Sequence, residues 1–505
     1  MHIKRAKQEI KDSIEAYLKK DAYGEYVIPS IRQRPLLLMG PPGIGKTQIM
    51  EQVARECGIA LVSYTITHHT RQSAIGLPFI KERMFGGTAY QITEYTMSEI
   101  IASVYEKMEK TGLKEGILFI DEINCVSETL APAMLQFLQC KTFGNQKVPE
   151  GWIIAAAGNP PEYNRSVREF DVVTLDRIKR IDVEENYDVW KEYAYKVGIH
   201  PAILSYLDLK REHFYRMETT PDGKAFATAR GWEDLSELLK VYESLGKKVD
   251  REVVHQYIQH WKIAKDFAVY LELYEKYQKD YGLEDIFKGQ WEKGTLEKLS
   301  YAAFDERLSV VGMLSGRLQE FFRRYGFLDA YVTRLYETVK RAQKEMKHME
   351  QICREEEETY EKLRAAEQLT REEDHLWRKA LDTLEDWKRL VKEEHLSGED
   401  ALGLVRERFQ REASRRQEAV DETEEALDHV FDFLEAAFGD SQEMVVFVTD
   451  LNTNAYSIQY LKENDCPKYY RYNKRLLFDE QREEILSQMD GVEDRLIDLD
   501  RKRGV

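Results

Sequence analysis

Five places in the chain offer residues suited to phosphate chemistry. Gly40-Pro41-Pro42-Gly43-Ile44-Gly45-Lys46-Thr47 follows the apolar run 35–39 and fits the loop pattern GxxxxGK[ST]. Glycines let backbone N–H groups curl around phosphate oxygens, an approach that side chains would obstruct. A helix starting at the end of the loop adds positive potential. Lys46 can reach the β- and γ-phosphates, and the Thr47 hydroxyl suits Mg²⁺. The second place is Asp121-Glu122, directly after the apolar run ILFI. Asp121 is suited to hold Mg²⁺ through water, and Glu122 to polarise an attacking water. The competing reading is an acidic helix start, since carboxylates favour N-termini.

Asn159 ends the run WIIAAAGN, where Pro160 and Pro161 stop the strand and present the amide at its tip. There it can orient the water and touch the γ-phosphate, or else serve only its own turn. Arg177, in LDRIKR, lies past a loop and a short helix, too far on to serve the same nucleotide easily. It suits an arginine finger reaching the nucleotide of the next subunit. The alternative is a surface ion pair with Asp176 or Glu169. Arg230, in ATARGWEDL, starts a helix that could close onto the γ-phosphate, or is an ordinary helix-start residue.

The elements that must position these residues show as short apolar runs at 35–39, 61–66, 117–120, 153–157 and 178–183. Helical patterns near 46–57, 97–110 and 127–139 alternate with them. That rhythm predicts a parallel sheet with helices on both faces. Ligands of such sheets bind at the carboxyl edge of the strands. Residues 1–34 read as an amphipathic helix and lead-in, and 35–184 as the α/β nucleotide-binding part. Residues 185–265 read as a small, entirely helical lid with a turn at Thr220-Pro221-Asp222-Gly223, and 266–327 as a helical connector.

From 328 to 439 apolar residues recur at 3-4 spacing: Val332, Leu335, Val339, Ala342, Met346, Met349 and Cys353, then Trp377, Ala380, Leu384 and Trp387, then Val420, Thr423, Leu427, Val430 and Leu434. This is heptad seam chemistry. Breaks near Thr370 and at Ser397-Gly398 predict three helices in an antiparallel coiled-coil arm; a single dimeric coiled coil is the other solution. Residues 440–505 read as a small α/β module, with MVVFVTDL as a strand and a closing helix at about 478–503. Its KYYRYNKR segment interleaves cations and tyrosines, as single-strand nucleic-acid binders do, or as a packed module does. Because no candidate nucleotide contact lies beyond it, truncation near residue 265 is expected to leave a folded ATPase.

The chain has 505 residues, enough for roughly two to four domains. Its formal net charge of −17 argues against nucleic acid as partner, since affinity there rests on neutralising phosphates. The five cysteines are scattered, without metal spacing, and read as reduced thiols. The start lacks the apolar core of a signal peptide, and no run approaches ~20 apolar residues. A cytoplasmic protein without a membrane span is expected.

In this order the motifs resemble the AAA+ ATPases over roughly residues 30–260. GPPGIGKT resembles Walker A and ILFIDE resembles Walker B. Asn159 falls on sensor 1, Arg177 on the arginine finger and Arg230 on sensor 2. DEIN, LQFLQ, VPEGWIIAAAGNPPEYN and LDRI resemble the MoxR branch, whose extra hairpin falls at 72–95 with a turn at Gly86-Gly87. Ile178 departs from the family's DRF, but stays apolar. The resemblance implies ATP and Mg²⁺, self-assembly into a hexameric ring, and chaperone-like remodelling with a protein partner, such as one bearing a von Willebrand factor A domain. A nucleic-acid motor, a nucleotide-gated scaffold with little turnover and a restriction-system GTPase are the other readings. The loop itself does not read the base, so ATP over GTP rests on the resemblance.

Overall fold

In this computed structural model the described residues are 1–66, 71–143, 146–163, 167, 170–221, 223–345 and 349–474. The chain begins with α1 (Ile3–Leu18), β1 (Leu36–Met39), α2 (Lys46–Glu56), β2 (Ala60–Thr65) and α3 (Arg71–Ile75). There follow β3 (Pro78–Phe85), β4 (Thr88–Tyr95), α4 (Glu99–Thr111), β5 (Gly116–Asp121) and α5 (Ala131–Cys140). The short pair β6 (Thr142–Phe143) and β7 (Gln146–Lys147) precedes β8 (Trp152–Gly158), α6 (Val172–Leu175) and β9 (Lys179–Asp182).

The apolar runs form one five-stranded sheet in the order β2-β5-β8-β1-β9, with every pairing parallel. Alternate residues of each strand go to opposite layers. Leu36, Leu38, Ile117, Phe119, Ile153 and Ala155 pack with α1 and α2 through Ala6, Ile10, Ile49 and Val53. Leu37, Leu118, Ile120, Ile154 and Ala156 pack with α4 and α5 through Ile100, Val104, Met134 and Phe137. Burial on both faces explains why the strands read as continuous apolar runs instead of alternating ones. The antiparallel ribbon β3–β4 turns at Gly86-Gly87, both at positive φ, and is exposed along most of its length.

Next come α7 (Tyr187–Val197), α8 (Pro201–Leu209), β10 (Arg216–Thr220), β11 (Gly223–Ala227), α9 (Ala229–Ser244) and α10 (Arg251–Tyr257). The all-helical expectation for this stretch fails at β10–β11, an antiparallel hairpin. RMETT and GKAFA pair across the residues read as a turn, with Thr220 opposite Gly223. Short alternating runs of this kind are ambiguous between helix and strand.

The remaining elements among the described residues are helices: α11 (Trp261–Asp280), α12 (Leu283–Phe287), α13 (Lys293–Ser300), α14 (Phe304–Glu345), α15 (Met349–Ala365), α16 (Arg371–Glu393), α17 (Gly398–Phe438), α18 (Gln442–Thr453) and α19 (Ala455–Glu463). Thr370 is the cap of α16 in a reciprocal capping box with Glu373, and α17 begins at Gly398. Both expected breaks therefore fall at helix starts, but among the described residues 328–439 holds parts of four helices, α14 to α17, where three were expected, and α14 already begins at Phe304, ahead of the expected boundary at 328. The expected strand at MVVFVTDL is instead α18. Met444, Phe447, Val448 and Leu451 recur at 3-1-3 spacing and are buried along one side of it, so the helical period won over β propensity. Residues 467–474 are helical too, so the described part of this segment contains no strand. The closing helix expected at about 478–503 lies outside the described residues.

The chain divides into two compact units. One comprises Met1–Trp190, Phe214–Trp232 and Glu337–Ala401; the other comprises Lys191–His213, Glu233–Tyr336 and Leu402–Val505. In the first, α15 and α16 pack through Tyr360 and Trp377, and Lys107 of α4 pairs with Glu367 just after α15 at 2.8 Å. In the second, Phe431 of α17 packs edge-on against Phe447 of α18, and Arg416 pairs with Asp329 at 2.6 Å. All five cysteines are free thiols. Among the described residues no helix is long and apolar enough to cross a membrane.

Candidate active site

The tips of β1, β5 and β8 are adjacent because those strands are neighbours in the sheet. After β1 the chain runs into the glycine loop, and Gly43 and Gly45 take positive φ, which suits residues without a Cβ. A Cβ on Gly40 would stand 2.5 Å from the Val183 carbonyl oxygen, so the loop can hug the sheet only with glycine there. Lys46 opens α2 and is buried. Its Nζ donates to the carbonyls of Gly40 at 2.9 Å and Pro41 at 2.7 Å, and to Asn159 Oδ1 at 2.9 Å. All three ammonium donors are thereby used. Burial lowers its pKa to about 8; Arg230 pushes the same way, while Asp121 and Glu122 oppose it.

Thr47 Oγ1 donates to Asp121 Oδ2 at 2.8 Å, so the hydroxyl and carboxylate named as metal ligands are together. Both supply the hard oxygen donors that Mg²⁺ takes, so the residues fit that ion. The other Asp121 oxygen accepts from the Glu122 N–H at 2.9 Å. Glu122 adopts the left-handed conformation, φ 56°. A non-glycine residue there costs on the order of 1–3 kcal/mol and persists where the surroundings impose it, typically at functional sites. The bend throws the chain out of β5 into the 3₁₀ turn Ile123–Cys125.

Arg230 lies in the first turn of α9, against the loop. A Cβ on Gly43 would stand 3.2 Å from the Thr228 side chain and 3.6 Å from the Arg230 Cβ. The structure thus brings Lys46, Thr47, Asp121, Asn159 and Arg230 to one edge. Arg177 is exposed, and its Nη1 donates to Gln139 Oε1 near the end of α5. Val172 and Val173 of the same short segment are 80% and 61% exposed, an apolar surface beside the guanidinium. Glu169 lies outside the described residues.

The sequence assigned no role to three further residues. Tyr215 donates its hydroxyl to the Pro42 carbonyl at 3.0 Å, and burial holds that phenol far above its ordinary pKa. Gln139 is the partner of Arg177. Asn124, two residues past Glu122, is buried against Asn159; its place in DEIN was the signal available.

Residues 36–176 match the family described as ATPase family associated with various cellular activities (AAA). No curated protein matches the chain. Among solved structures, a lysine-to-arginine mutant of RuvB from Thermotoga maritima matches at 14% identity and a TM-score of 0.24, over 39% of this chain and 51% of that one. The chain therefore spans about half of that relative. It carries an AAA-family domain, a parallel five-stranded sheet with helices, followed by a largely helical C-terminal region.

Proposed function

We propose that the chain is a MoxR-like ATPase that assembles into a ring and remodels a protein complex. The observation that supports this best is the pair of hydrogen bonds Lys46–Asn159 and Thr47–Asp121, which joins three separate motifs at one strand edge. Lys46 would hold the β- and γ-phosphates, and Thr47 with Asp121 would hold Mg²⁺. Bound there, the ion neutralises charge that develops on the phosphates. Glu122 takes the proton of the attacking water, Asn159 orients that water, and Arg230 closes from α9. Arg177 serves a neighbouring subunit. A client or partner protein is supported by the exposed apolar side chains of β3–β4, Ile80, Met84 and Phe85 among them.

The nucleic-acid motor finds less support. In the 468–475 segment, Lys468 pairs with Asp432 at 2.7 Å, Arg471 pairs with Glu435, and Tyr472 stacks on Phe431. These groups are engaged by α17 instead of standing free for bases and phosphates; Arg475 lies outside the described residues.

The reading is tested by comparing Lys46→Ala with Glu122→Gln. Lys46→Ala is expected to lose ATP binding in calorimetry. Glu122→Gln is expected to bind ATP and to release phosphate ~10²–10⁴-fold more slowly, the usual value of a general base. Mass photometry of Glu122→Gln in ATP should show rings. Near-normal turnover of that variant overturns the catalytic assignment, and monomers in ATP overturn the ring.

A further inference from the structure

Asn159 reaches Lys46 from the end of a strand, just ahead of two prolines, where little in the sheet fixes it. The ladder between β5 and β8 stops at Ile120 and Ala156. Three residues past Ala156, just beyond the end of β8, the side chain of Asn124 takes over the role of the missing strand. Its Nδ2 donates to the Asn159 carbonyl at 2.7 Å, and its Oδ1 accepts from the Asn159 N–H at 3.3 Å. One amide thus satisfies both backbone polar groups of residue 159. Asn124 is 3% exposed, and the left-handed Glu122 turns the chain so that it can reach inward. Gly158 leaves it room: a Cβ there would stand 2.7 Å from Asn124 Oδ1 and 2.9 Å from its Cγ.

We propose that Asn124 is a positioning residue for Asn159, locking the backbone that aims the Asn159 amide at the phosphate side of the site. Glu122 and Asn124 then lie on one short turn, so the water-activating carboxylate and the support of the water-orienting amide keep a fixed spacing. The inference deepens the ATPase reading and rests on it for its kinetic test. A buried amide that served only the fold would also be hydrogen-bonded, so the test must separate the two roles.

The experiment is a double-mutant cycle of Asn124→Ala and Asn159→Ala, with Asn124→Asp as a variant of the same shape. Turnover, ATP affinity and melting temperature are read for each. Asn124→Ala is expected to lower kcat on the order of 10²-fold, the usual cost of a small misplacement, with ATP affinity unchanged. The double variant should be no slower than Asn159→Ala alone, because Asn124 acts only through that residue. Asn124→Asp keeps the acceptor but turns a carboxylate oxygen toward the Asn159 carbonyl, so it should be at least as slow as Asn124→Ala. Additive losses, or a parallel fall in affinity and melting temperature, would overturn the proposal. If the unaltered chain proves not to hydrolyse ATP, the ATPase reading fails by itself. The proposal is then read from the preference for a non-hydrolysable ATP analogue over ADP. Equal reductions in Asn124→Ala, Asn159→Ala and the double variant uphold it, and unequal ones overturn it.

Discussion

Two lysines, in different units of the chain, are each 8% exposed and are held in opposite ways. Lys46, at the sheet edge, donates to two loop carbonyls and one side-chain amide, all neutral. Lys191, on α7, donates to Asp208 at 2.8 Å and to Asp450 of α18 at 2.7 Å, and Tyr195 adds a hydroxyl to the same Asp450 oxygen at 3.1 Å. Equal burial imposes the same loss of water on both ammonium groups. Only Lys191 is repaid in place by direct carboxylate partners. Lys46 keeps a charge deficit that an incoming anion can fill, whereas the Lys191 site is closed. The comparison separates a lysine arranged for a ligand from one arranged for packing, although both sit in a buried polar cluster.

The largest expected effect tests whether the open site is completed from outside. Arg177 is exposed, as are Val172 and Val173, and its guanidinium donates to Gln139 and to no group of the Lys46 cluster among the hydrogen bonds of the described residues. Arg177→Ala is expected to bind ATP normally and hydrolyse it ~10³–10⁵-fold more slowly, the span of known arginine fingers. Mixing it with Lys46→Ala should restore part of the phosphate release, since an intact arginine then meets an intact loop across an interface. If confirmed mixed oligomers stay inactive, the guanidinium has a structural role and the sheet edge is self-contained.

A smaller effect contrasts the two lysines directly. Lys191→Ala leaves Asp450 buried with a single hydroxyl partner, and breaking such a pair costs about 3–5 kcal/mol. Lys46→Ala removes a charge that burial already disfavours, and should melt no lower than the unaltered protein. Calorimetry of the two variants decides; similar losses would erase the distinction. The same pair bears on truncation near residue 265, which removes Asp450. With Lys191, α8 and α18 in one compact unit, the shortened chain is expected to keep its sheet but lose stability in the lid, contrary to what motif position alone suggests.

What the sequence disclosed follows the same division. That the glycine loop, Asp121 and Asn159 would meet at one strand edge was legible because doubly buried strands read as unbroken apolar runs, and because the phosphate and metal roles proposed for these residues admit few residue types. Asn124 was printed in the same DEIN stretch, yet its role depends on Gly158 in a strand distant in sequence. The hairpin β10–β11 and the helix α18 were misread where a run of eight or fewer residues fits both periods. Asp450 is one acidic residue among 91 aspartates and glutamates. Only its contacts with Lys191 and Tyr195 distinguish it, and no local pattern encodes a pairing with Lys191 259 residues away.

The smallest effect is a pH dependence confined to the open lysine. Burial lowers the Lys46 pKa from 10.5 to about 8. A lysine lowered in this way is penalised in its charged form below pH 8, and the penalty fades between about pH 8 and 10.5, where the unfolded chain still binds the proton. The empty protein should therefore gain stability from this group across that window. Nucleotide binding should change in the opposite sense. Phosphate oxygens favour the ammonium, so binding above pH 8 requires the uptake of a proton, and affinity should fall about tenfold per pH unit. Lys46→Arg keeps its charge throughout this range and should bind with affinity independent of pH, although its larger head fits the loop less well. Isothermal titration with ADP at pH 7, 8 and 9 reads both slopes. A flat profile in the unaltered protein would mean that Lys46 is charged well above pH 8. The loop carbonyls and Asn159 would then balance it as fully as two carboxylates balance Lys191, and the contrast between the two sites would vanish.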